Sequence, residues 1–162
     1  MPAKPVIARD IMVSRLITLR PDMDVFAAID LLLKHNISGA PVVDQDGRYL
    51  GVFSESCSIS LLLAAAYDGA PTNEIERFVD GDAPTIEPGA DLLTIAQVFL
   101  ETRYRRLPVL EDGRLLGQVS RRDLLKAARQ LLEMGSSEGS SVLYLSGLVD
   151  AHDSSILVLS RV

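Results

Sequence analysis

The sequence predicts an α/β or α+β fold in which one structural unit occurs twice. Residues 40–54 read APVVDQDGRYLGVFS, and residues 107–120 repeat the pattern as LPVLEDGRLLGQVS. Each copy contains two β-prone stretches around a glycine-containing turn, which indicates a β-hairpin. Amphipathic helical spacing precedes each copy, and a second helical stretch follows it. A repeat of this length indicates one supersecondary unit used twice, and two such units usually pack face to face.

The first unit follows the order strand, helix, strand, strand, helix. Pro21 ends the first strand, and Asp22 or Asp24 can cap the helix that follows. The helix is indicated by apolar residues at positions 25, 28, 29, 32 and 33, which share one face. The predicted elements are a strand at 16–19, a helix at 25–35, strands at 41–43 and 49–53, and a helix at 57–67.

The second unit repeats this order. Its predicted elements are a strand at 84–86, a helix at 92–100, strands at 106–110 and 114–119, and a helix at 121–134. The units are assigned to residues 6–67 and 68–134. Residues 135–162 form a Gly/Ser-rich linker and an apolar, β-prone tail with the pattern of a hairpin. Three short strands are marginal alone, so pairing of the two units is expected to cover both sheets.

Composition excludes several classes of protein. A net charge of −6 argues against a general nucleic-acid binder, because such binding depends on Lys and Arg. One cysteine and two distant histidines indicate neither a disulfide framework nor a metal site. The longest apolar run is too short for a membrane span, and the N-terminus lacks a signal-peptide pattern, so we expect a cytoplasmic protein without membrane contact. No catalytic constellation is evident, and the chain is not expected to be an enzyme.

The segment that closes the second hairpin carries the strongest chemical signal. Ser120, Arg121, Arg122 and Asp123 stand where a strand ends and a helix begins. A helix N-terminus favours an anion, the arginines can supply charge to a phosphate, and the carboxylate of Asp123 can accept two hydrogen bonds from a sugar diol. A Ser-x-x-Asp sequence at this place equally resembles a capping box, and the residues alone leave both interpretations open.

These motifs together resemble the cystathionine β-synthase (CBS) domain family in its tandem form, the Bateman module. The resemblance covers residues 6–134 and rests on segments at equivalent positions of the two copies. They are residues 10–12 (DIM), 41–44 (PVVD), 46–51 (DGRYLG), Ser54, 107–109 (LPV), 112–117 (DGRLLG), Ser120 and Asp123. The resemblance implies two βαββα repeats packed with pseudo-twofold symmetry. It also implies two clefts that bind AMP, ADP, ATP or S-adenosylmethionine as a ligand, with no obligatory cofactor.

The resemblance assigns roles to residues of the second copy. Asp123 corresponds to the residue that binds ribose, Ser120 to its hydroxyl partner, and Arg106 to an arginine that reaches phosphate. Arg121 is a further candidate for phosphate. The apolar surface and backbone around adenine correspond to Leu107, Pro108, Ala83 and Thr85.

The first copy departs from this pattern at three positions. Cys57 replaces the ribose-binding aspartate, Gly39 stands in the place of Arg106, and Glu55 adds negative charge beside the expected phosphate. A hydrogen bond to a charged group contributes about 1.5–3 kcal/mol, so the loss of the carboxylate alone weakens binding about tenfold or more. We therefore expect one competent nucleotide cleft per chain, or a very different ligand in the first.

The resulting prediction is a stand-alone regulatory module that binds an adenosine-type small molecule in the cleft of the second repeat. Two alternatives remain open: a structural or dimerisation module without a ligand, and a regulatory subunit that acts in trans on an enzyme or transporter. The resemblance implies a homodimer formed through helices, and the apolar tail could extend that interface. The trans-acting alternative implies a protein partner.

Overall fold

The computed structural model describes residues 5–69 and 74–136. The helices are α1 (Ala8–Ile11), α2 (Val25–Lys34), α3 (Glu55–Asp68), α4 (Leu92–Glu101) and α5 (Arg121–Ser136), with a short 3-10 helix at Ile75–Phe78. The strands are β1 (Gly39–Val43), β2 (Tyr49–Ser54), β3 (Arg106–Glu111) and β4 (Arg114–Ser120). Residues 5–69 and 74–124 belong to one compact body, which holds both hairpins and every candidate site residue, and residues 125–136 belong to a second. The predicted tail hairpin lies outside the described residues.

The predicted mixed α/β class and the order of helices and hairpins are confirmed, with boundaries within two residues of those expected. Helices α2 and α4, which hold equivalent positions in the two units, both begin at an aspartate cap. The Asp24 side chain accepts hydrogen bonds from the backbone N–H groups of Phe26 and Ala27, at 2.9 and 3.2 Å. The Asp91 side chain accepts from the Thr94 N–H at 2.8 Å. Of the two residues predicted to cap α2, Asp22 and Asp24, Asp24 is therefore the correct one.

The predicted strands at 16–19 and 84–86 are wrong in extent, because each pairs with its hairpin through a single parallel bridge. Leu19 pairs with Val42, and Ile86 pairs with Val109. Extension of a parallel ladder in either direction would need the next backbone N–H donors, which in the first repeat belong to Pro41 and Pro21. Proline has no N–H, and Pro108 and Pro88 block the second bridge in the same way. Prolines thus limit both first strands to one residue pair.

Both hairpins are antiparallel, and their tips meet. In the two repeats the register shifts at Val42/Val43 and at Val109/Leu110, so the β-bulge is duplicated with the rest of the unit. Arg48 and Arg114, which hold the same position in the two repeats, form an antiparallel bridge with each other. Pairing of equivalent residues places the pseudo-twofold axis between them, which confirms the predicted arrangement of the repeats.

The first and second units are called repeat 1 and repeat 2. The core of each repeat includes residues from the segment that precedes the helix and hairpin of the other repeat. Ala8 of the N-terminal segment lies in the core of repeat 2, with Ile95, Phe99 and other apolar residues. Ile75 of the segment between the repeats lies in the core of repeat 1. This exchange gives the two repeats a shared structure, because neither core is complete without a segment from elsewhere in the chain.

The exchanged segments cross the hairpins at equivalent glycines. Val13 pairs with Gln118 beside Gly117, and Asp80 pairs with Val52 beside Gly51. A Cβ atom on Gly51 would overlap the carbonyl group of Asp80, and one on Gly117 would lie 2.8 Å from the carbonyl oxygen of Val13. Glycine is therefore required at both crossings for close backbone approach. Within the described residues, no helix is both long and apolar enough to cross a membrane.

Candidate functional site

Strand β4 passes directly into helix α5, and this junction builds the candidate site. The backbone N–H and the hydroxyl of Ser120 both donate to Asp123 Oδ2, at 2.9 and 2.6 Å. The backbone N–H of Asp123 donates to Ser120 Oγ at 3.2 Å. These reciprocal bonds form a capping box in which aspartate takes the usual place of glutamate. The capping interpretation of the Ser-x-x-Asp sequence is therefore correct as a description of the structure.

Capping leaves part of the carboxylate available for a ligand. A carboxylate has about four lone-pair sites, and both hydrogen bonds accepted by the Asp123 carboxylate are at Oδ2. Within the described residues, Oδ1 accepts no hydrogen bond, and the Asp123 side chain is half-buried. The box thus holds the carboxylate in a fixed position beside the helix N-terminus while one oxygen stays open. The capping and ribose-binding interpretations are compatible with each other.

Arg106 lies directly across the sheet from Ser120. The two residues are opposite each other at the open end of the β3–β4 pair, remote from the hairpin tip. The side chain of Arg106 is exposed, and no residue of the described chain forms a hydrogen bond or an ion pair with it. An arginine without a partner beside a helix N-terminus forms a positive site that favours a phosphate.

The residues predicted to surround adenine lie in β3 and in the segment that pairs with it, and they differ in exposure. The bridge between Ile86 and Val109 aligns the segment that contains Ala83 and Thr85 with the start of β3. Ala83 is buried and Thr85 is exposed. The Leu107 side chain is 0% exposed and belongs to the core of repeat 2. The buried Pro108 accepts a backbone hydrogen bond from Ile86 at 2.9 Å.

Arg121 is directed elsewhere. Its guanidinium donates to the carbonyl oxygens of Phe99 and Thr102, both at 3.3 Å, and lies 5.8 Å from the centre of the Phe99 ring. These contacts satisfy carbonyl groups at the C-terminal end of α4, where a cation is favoured by the helix dipole. The Arg121 backbone N–H bonds to the Arg105 carbonyl at 3.2 Å and so links α5 to the approach to β3. The role of Arg121 in phosphate binding stays a prediction.

The corresponding place in repeat 1 has the same backbone and different chemistry. Ser54 caps α3 by accepting the Cys57 N–H at 3.3 Å, and its hydroxyl lies 3.3 Å from the Cys57 sulfur. Gly39 is opposite Ser54, as Arg106 is opposite Ser120. A Cβ on Gly39 would lie 3.2 Å from the Ser54 Cβ, so the site leaves little room for a larger residue. Repeat 1 therefore has neither a carboxylate nor a cation at these two positions.

A polar cluster beside the repeat 2 edge escaped sequence analysis. The Tyr104 hydroxyl donates to Asp80 Oδ2 at 2.5 Å, which raises the pKa of Tyr104. The nearby Tyr49 hydroxyl is buried, and it is the one side-chain polar atom in the described chain to be buried without a hydrogen bond. Burial, and then the negative charge of Asp80, raise the pKa of Tyr49. The equivalent positions in the other copy hold Val13, Ile37 and Leu115, so comparison of the repeats position by position reveals the cluster.

Metal chemistry has no evident site in the part of the chain that the structure describes. No group of three or more His, Cys, Asp or Glu side chains there is arranged to hold an ion. Cys57 is a free, half-buried thiol. The groups at the junction of β4 and α5 include a carboxylate oxygen, the Arg106 guanidinium and a helix N-terminus, which suit a ligand with hydroxyl and phosphate groups.

Solved structures share this architecture, and curated proteins are similar in sequence. The crystal structure of the Arabidopsis thaliana protein CBSX2 in complex with AMP has a TM-score of 0.67 and 28% sequence identity, and covers 76% of this chain and 96% of that one. An uncharacterized protein of Methanocaldococcus jannaschii is 33% identical over 73% of this chain and 41% of its own length. The chloroplastic CBS domain-containing protein CBSX1 of Arabidopsis thaliana is 29% identical over 72% of this chain and 61% of its own.

The match to a family model follows the repeat. The model of the CBS domain matches twice, at residues 8–56 and 75–130. This chain spans less than two thirds of the length of the Methanocaldococcus and CBSX1 relatives. The two matched segments together make up more than half of the chain, and they coincide with the two hairpin-centred repeats. The chain therefore belongs to the CBS domain family.

Proposed function

We propose that the chain is a regulatory module that binds an adenine nucleotide at the edge of repeat 2. The observation that carries the proposal is the fixed Asp123 carboxylate, whose Oδ1 accepts no hydrogen bond within the described residues. In this proposal Asp123 Oδ1 accepts hydrogen bonds from the ribose hydroxyls, and the exposed guanidinium of Arg106 binds the phosphate. The AMP complex of the related CBSX2 protein supports AMP as the first ligand to test.

Adenine is proposed to lie between the segment of Ala83 and the start of β3. The bridge at Ile86 places these two segments side by side. Leu107 is 0% exposed and supports this wall from the core without lining it, and the backbone of the segment at Ala83 and Thr85 offers polar groups for the edge of the base. Apolar walls with a few fixed polar groups are typical of small-molecule sites.

One nucleotide per chain is proposed, because repeat 1 lacks the required groups. The thiol of Cys57 accepts hydrogen bonds weakly compared with a carboxylate. Gly39 supplies no charge, and the Glu55 carboxylate at the start of α3 repels a phosphate. Loss of the charged hydrogen bond alone corresponds to about 10- to 150-fold weaker binding.

The proposed role is sensing without catalysis. Nucleotide binding changes the shape of the module or its affinity for a partner, as in a regulatory subunit that acts in trans on an enzyme or transporter. A ligand can shift such an equilibrium only by its difference in affinity for the two states. Capture of partners with and without AMP would identify a protein whose binding depends on the nucleotide.

Calorimetric titration tests the ligand and the site together. AMP, ADP, ATP and S-adenosylmethionine are titrated separately into the parent, Asp123→Asn and Asp123→Ala proteins. Asp123→Asn keeps an oxygen that can accept from Ser120 but has no charge, so it separates helix capping from ligand binding. We expect both variants to lose at least about tenfold in affinity. The proposal fails if no compound binds the parent below about millimolar concentration, and the site assignment fails if Asp123→Ala binds as the parent does.

A homodimer through α3 is a second proposal, favoured by the surface of that helix. The inner face of α3 buries Ser58 and Leu61, whereas its outer face exposes large apolar side chains. They follow helical spacing and are Ile59, Leu62, Leu63 and Tyr67. A contiguous apolar stripe of this kind is characteristic of an interaction surface. A second copy of the chain would cover it, and the tail beyond residue 140 could extend the contact.

A further inference from the structure

We propose that Tyr104 and Asp80 are positioning residues that hold the nucleotide cleft of repeat 2 in its binding geometry. The inference rests on the proposed function for the identity of the ligand. It starts from one hydrogen bond, in which the Tyr104 hydroxyl donates to Asp80 Oδ2 at 2.5 Å. A distance in this range is typical of a charge-assisted bond between a hydroxyl and a carboxylate, which is about twice as strong as a neutral one.

The two partners stand at the two walls of the proposed cleft. Tyr104 precedes Arg106, the proposed phosphate ligand, by two residues, and Asp80 precedes Ala83 by three. The hydrogen bond therefore joins the chain on either side of the site. Arg105 lies between Tyr104 and Arg106 in the chain, and its carbonyl accepts a hydrogen bond from the backbone N–H of Arg121. The position of Tyr104 therefore also affects the start of α5 and its capping box.

Asp80 is itself anchored on the other repeat. Its backbone N–H donates to the Val52 carbonyl at 2.8 Å, and its carbonyl accepts from the Val52 N–H at 3.0 Å. The Asp80 Oδ1 atom accepts the N–H of Asp82 at 3.2 Å, which fixes the carboxylate from the other side. The Tyr104 bond thus ties the start of β3 to the sheet of repeat 1, and movement between the repeats must strain or break it.

The cluster is present on one side of the pseudo-twofold axis alone. Val13 is the counterpart of Asp80 because it makes the equivalent bridge, with Gln118. The counterpart of Tyr104 is Ile37, and neither Val13 nor Ile37 can form a side-chain hydrogen bond. The polar pair accompanies the repeat that has the carboxylate and the arginine, and the apolar pair accompanies the repeat that lacks both. Two independent differences between the copies therefore fall at the same cleft.

Tyr49 provides a matched control for the Tyr104 hydroxyl. The negative charge of Asp80 contributes to the raised pKa of both Tyr49 and Tyr104. The Tyr49 hydroxyl is buried without a hydrogen bond, so its removal breaks no tie between the repeats. Tyr49→Phe and Tyr104→Phe delete the same atom near the same carboxylate, and the proposal assigns a positioning role to Tyr104 alone.

The test measures AMP affinity and amide exchange in the full chain. Tyr104→Phe is expected to weaken AMP binding about threefold to tenfold, in line with couplings transmitted through a second residue, and Tyr49→Phe to leave it unchanged. Asp80→Asn keeps an acceptor for the tyrosine hydroxyl and is expected to bind AMP more tightly than Asp80→Ala. AMP binding by Tyr104→Phe that matches the parent overturns the proposal.

Exchange without ligand gives a readout that does not depend on nucleotide binding. Tyr104→Phe should raise exchange at the amides of Ile86 and Arg121 by at least about threefold, because the tie limits local opening. The equivalent amides of repeat 1, Leu19 and Glu55, should not change, and Tyr49→Phe should change none of the four. If the parent binds no AMP, the proposed function fails. Faster exchange at Ile86 and Arg121 would still support the positioning role, and exchange equal to that of the parent would overturn it.

Discussion

The exchange of covering segments makes a strong prediction for Gly51. Its φ of +147° lies in a region that residues with a Cβ rarely adopt, and a Cβ there would overlap the Asp80 carbonyl. Backbone strain contributes about 1–3 kcal/mol. Displacement of Asp80 also weakens its two backbone bonds to Val52, each contributing about 0.5–1.5 kcal/mol. We therefore expect Gly51→Ala to lower the free energy of unfolding by about 2–6 kcal/mol.

Two other glycines calibrate this result. Gly117→Ala meets the carbonyl of Val13 and the flexible side chain of Met12 without a positive φ, so we expect a smaller loss of about 1–3 kcal/mol. A Cβ atom on Gly89 would point into open space, with no atom beyond its chain neighbours within 4 Å, and Gly89→Ala should change stability by less than about 0.5 kcal/mol. Urea unfolding followed by circular dichroism measures all three. A Gly51→Ala protein as stable as Gly89→Ala would refute the proposed crossing of the inter-repeat segment over β2.

Three further predictions concern a helix cap, the first cleft and the dimer surface. Asp91→Ala should lower stability by about 1 kcal/mol at pH 7. The Thr94 N–H holds the pKa of Asp91 below its usual value. The stabilisation by Asp91 is therefore present above about pH 4 and is lost as pH falls through the lowered pKa. A difference in unfolding free energy between Asp91→Ala and the parent that stays constant from pH 7 to pH 2 would contradict this. Cys57→Asp should add no second AMP in calorimetry, because the repeat 1 cleft still lacks an arginine, and two AMP per chain would show that the carboxylate alone suffices. Leu62→Glu on α3 should reduce the mass in sedimentation to that of a monomer while Phe26→Glu on α2 leaves it unchanged, and an unchanged mass for Leu62→Glu would exclude the α3 interface.

Local patterns in the sequence were sufficient to predict the four longer helices and both hairpins. Helical spacing, aspartate caps and glycine turns each depend on residues close in the chain, and the structure follows them within two residues. The first strands were predicted too long because their limits depend on pairing. Pro21 and Pro41 are visible in the sequence, but their effect appears only when Leu19 is known to pair with Val42. Register between distant segments thus decided what the local pattern could not.

The candidate site was predictable in part for the same reason. The Ser120–Asp123 pair lies within one helical turn, so its motif is continuous in the sequence. Asp80 and Tyr104 are 24 residues apart, and their hydrogen bond exists because one segment crosses to the other repeat. The sequence signal for them is indirect: both differ in polarity from their counterparts, Val13 and Ile37.

The stoichiometry of AMP binding to the parent protein decides between one competent cleft and two. Calorimetric titration of the full chain with AMP measures it without any substitution. The fixed carboxylate of Asp123 and the exposed Arg106 predict one AMP per chain, with Gly39 and Cys57 leaving the other cleft empty. A stoichiometry of two would contradict the proposed difference between the repeats, and no binding below about millimolar AMP would contradict AMP as the nucleotide that the module senses.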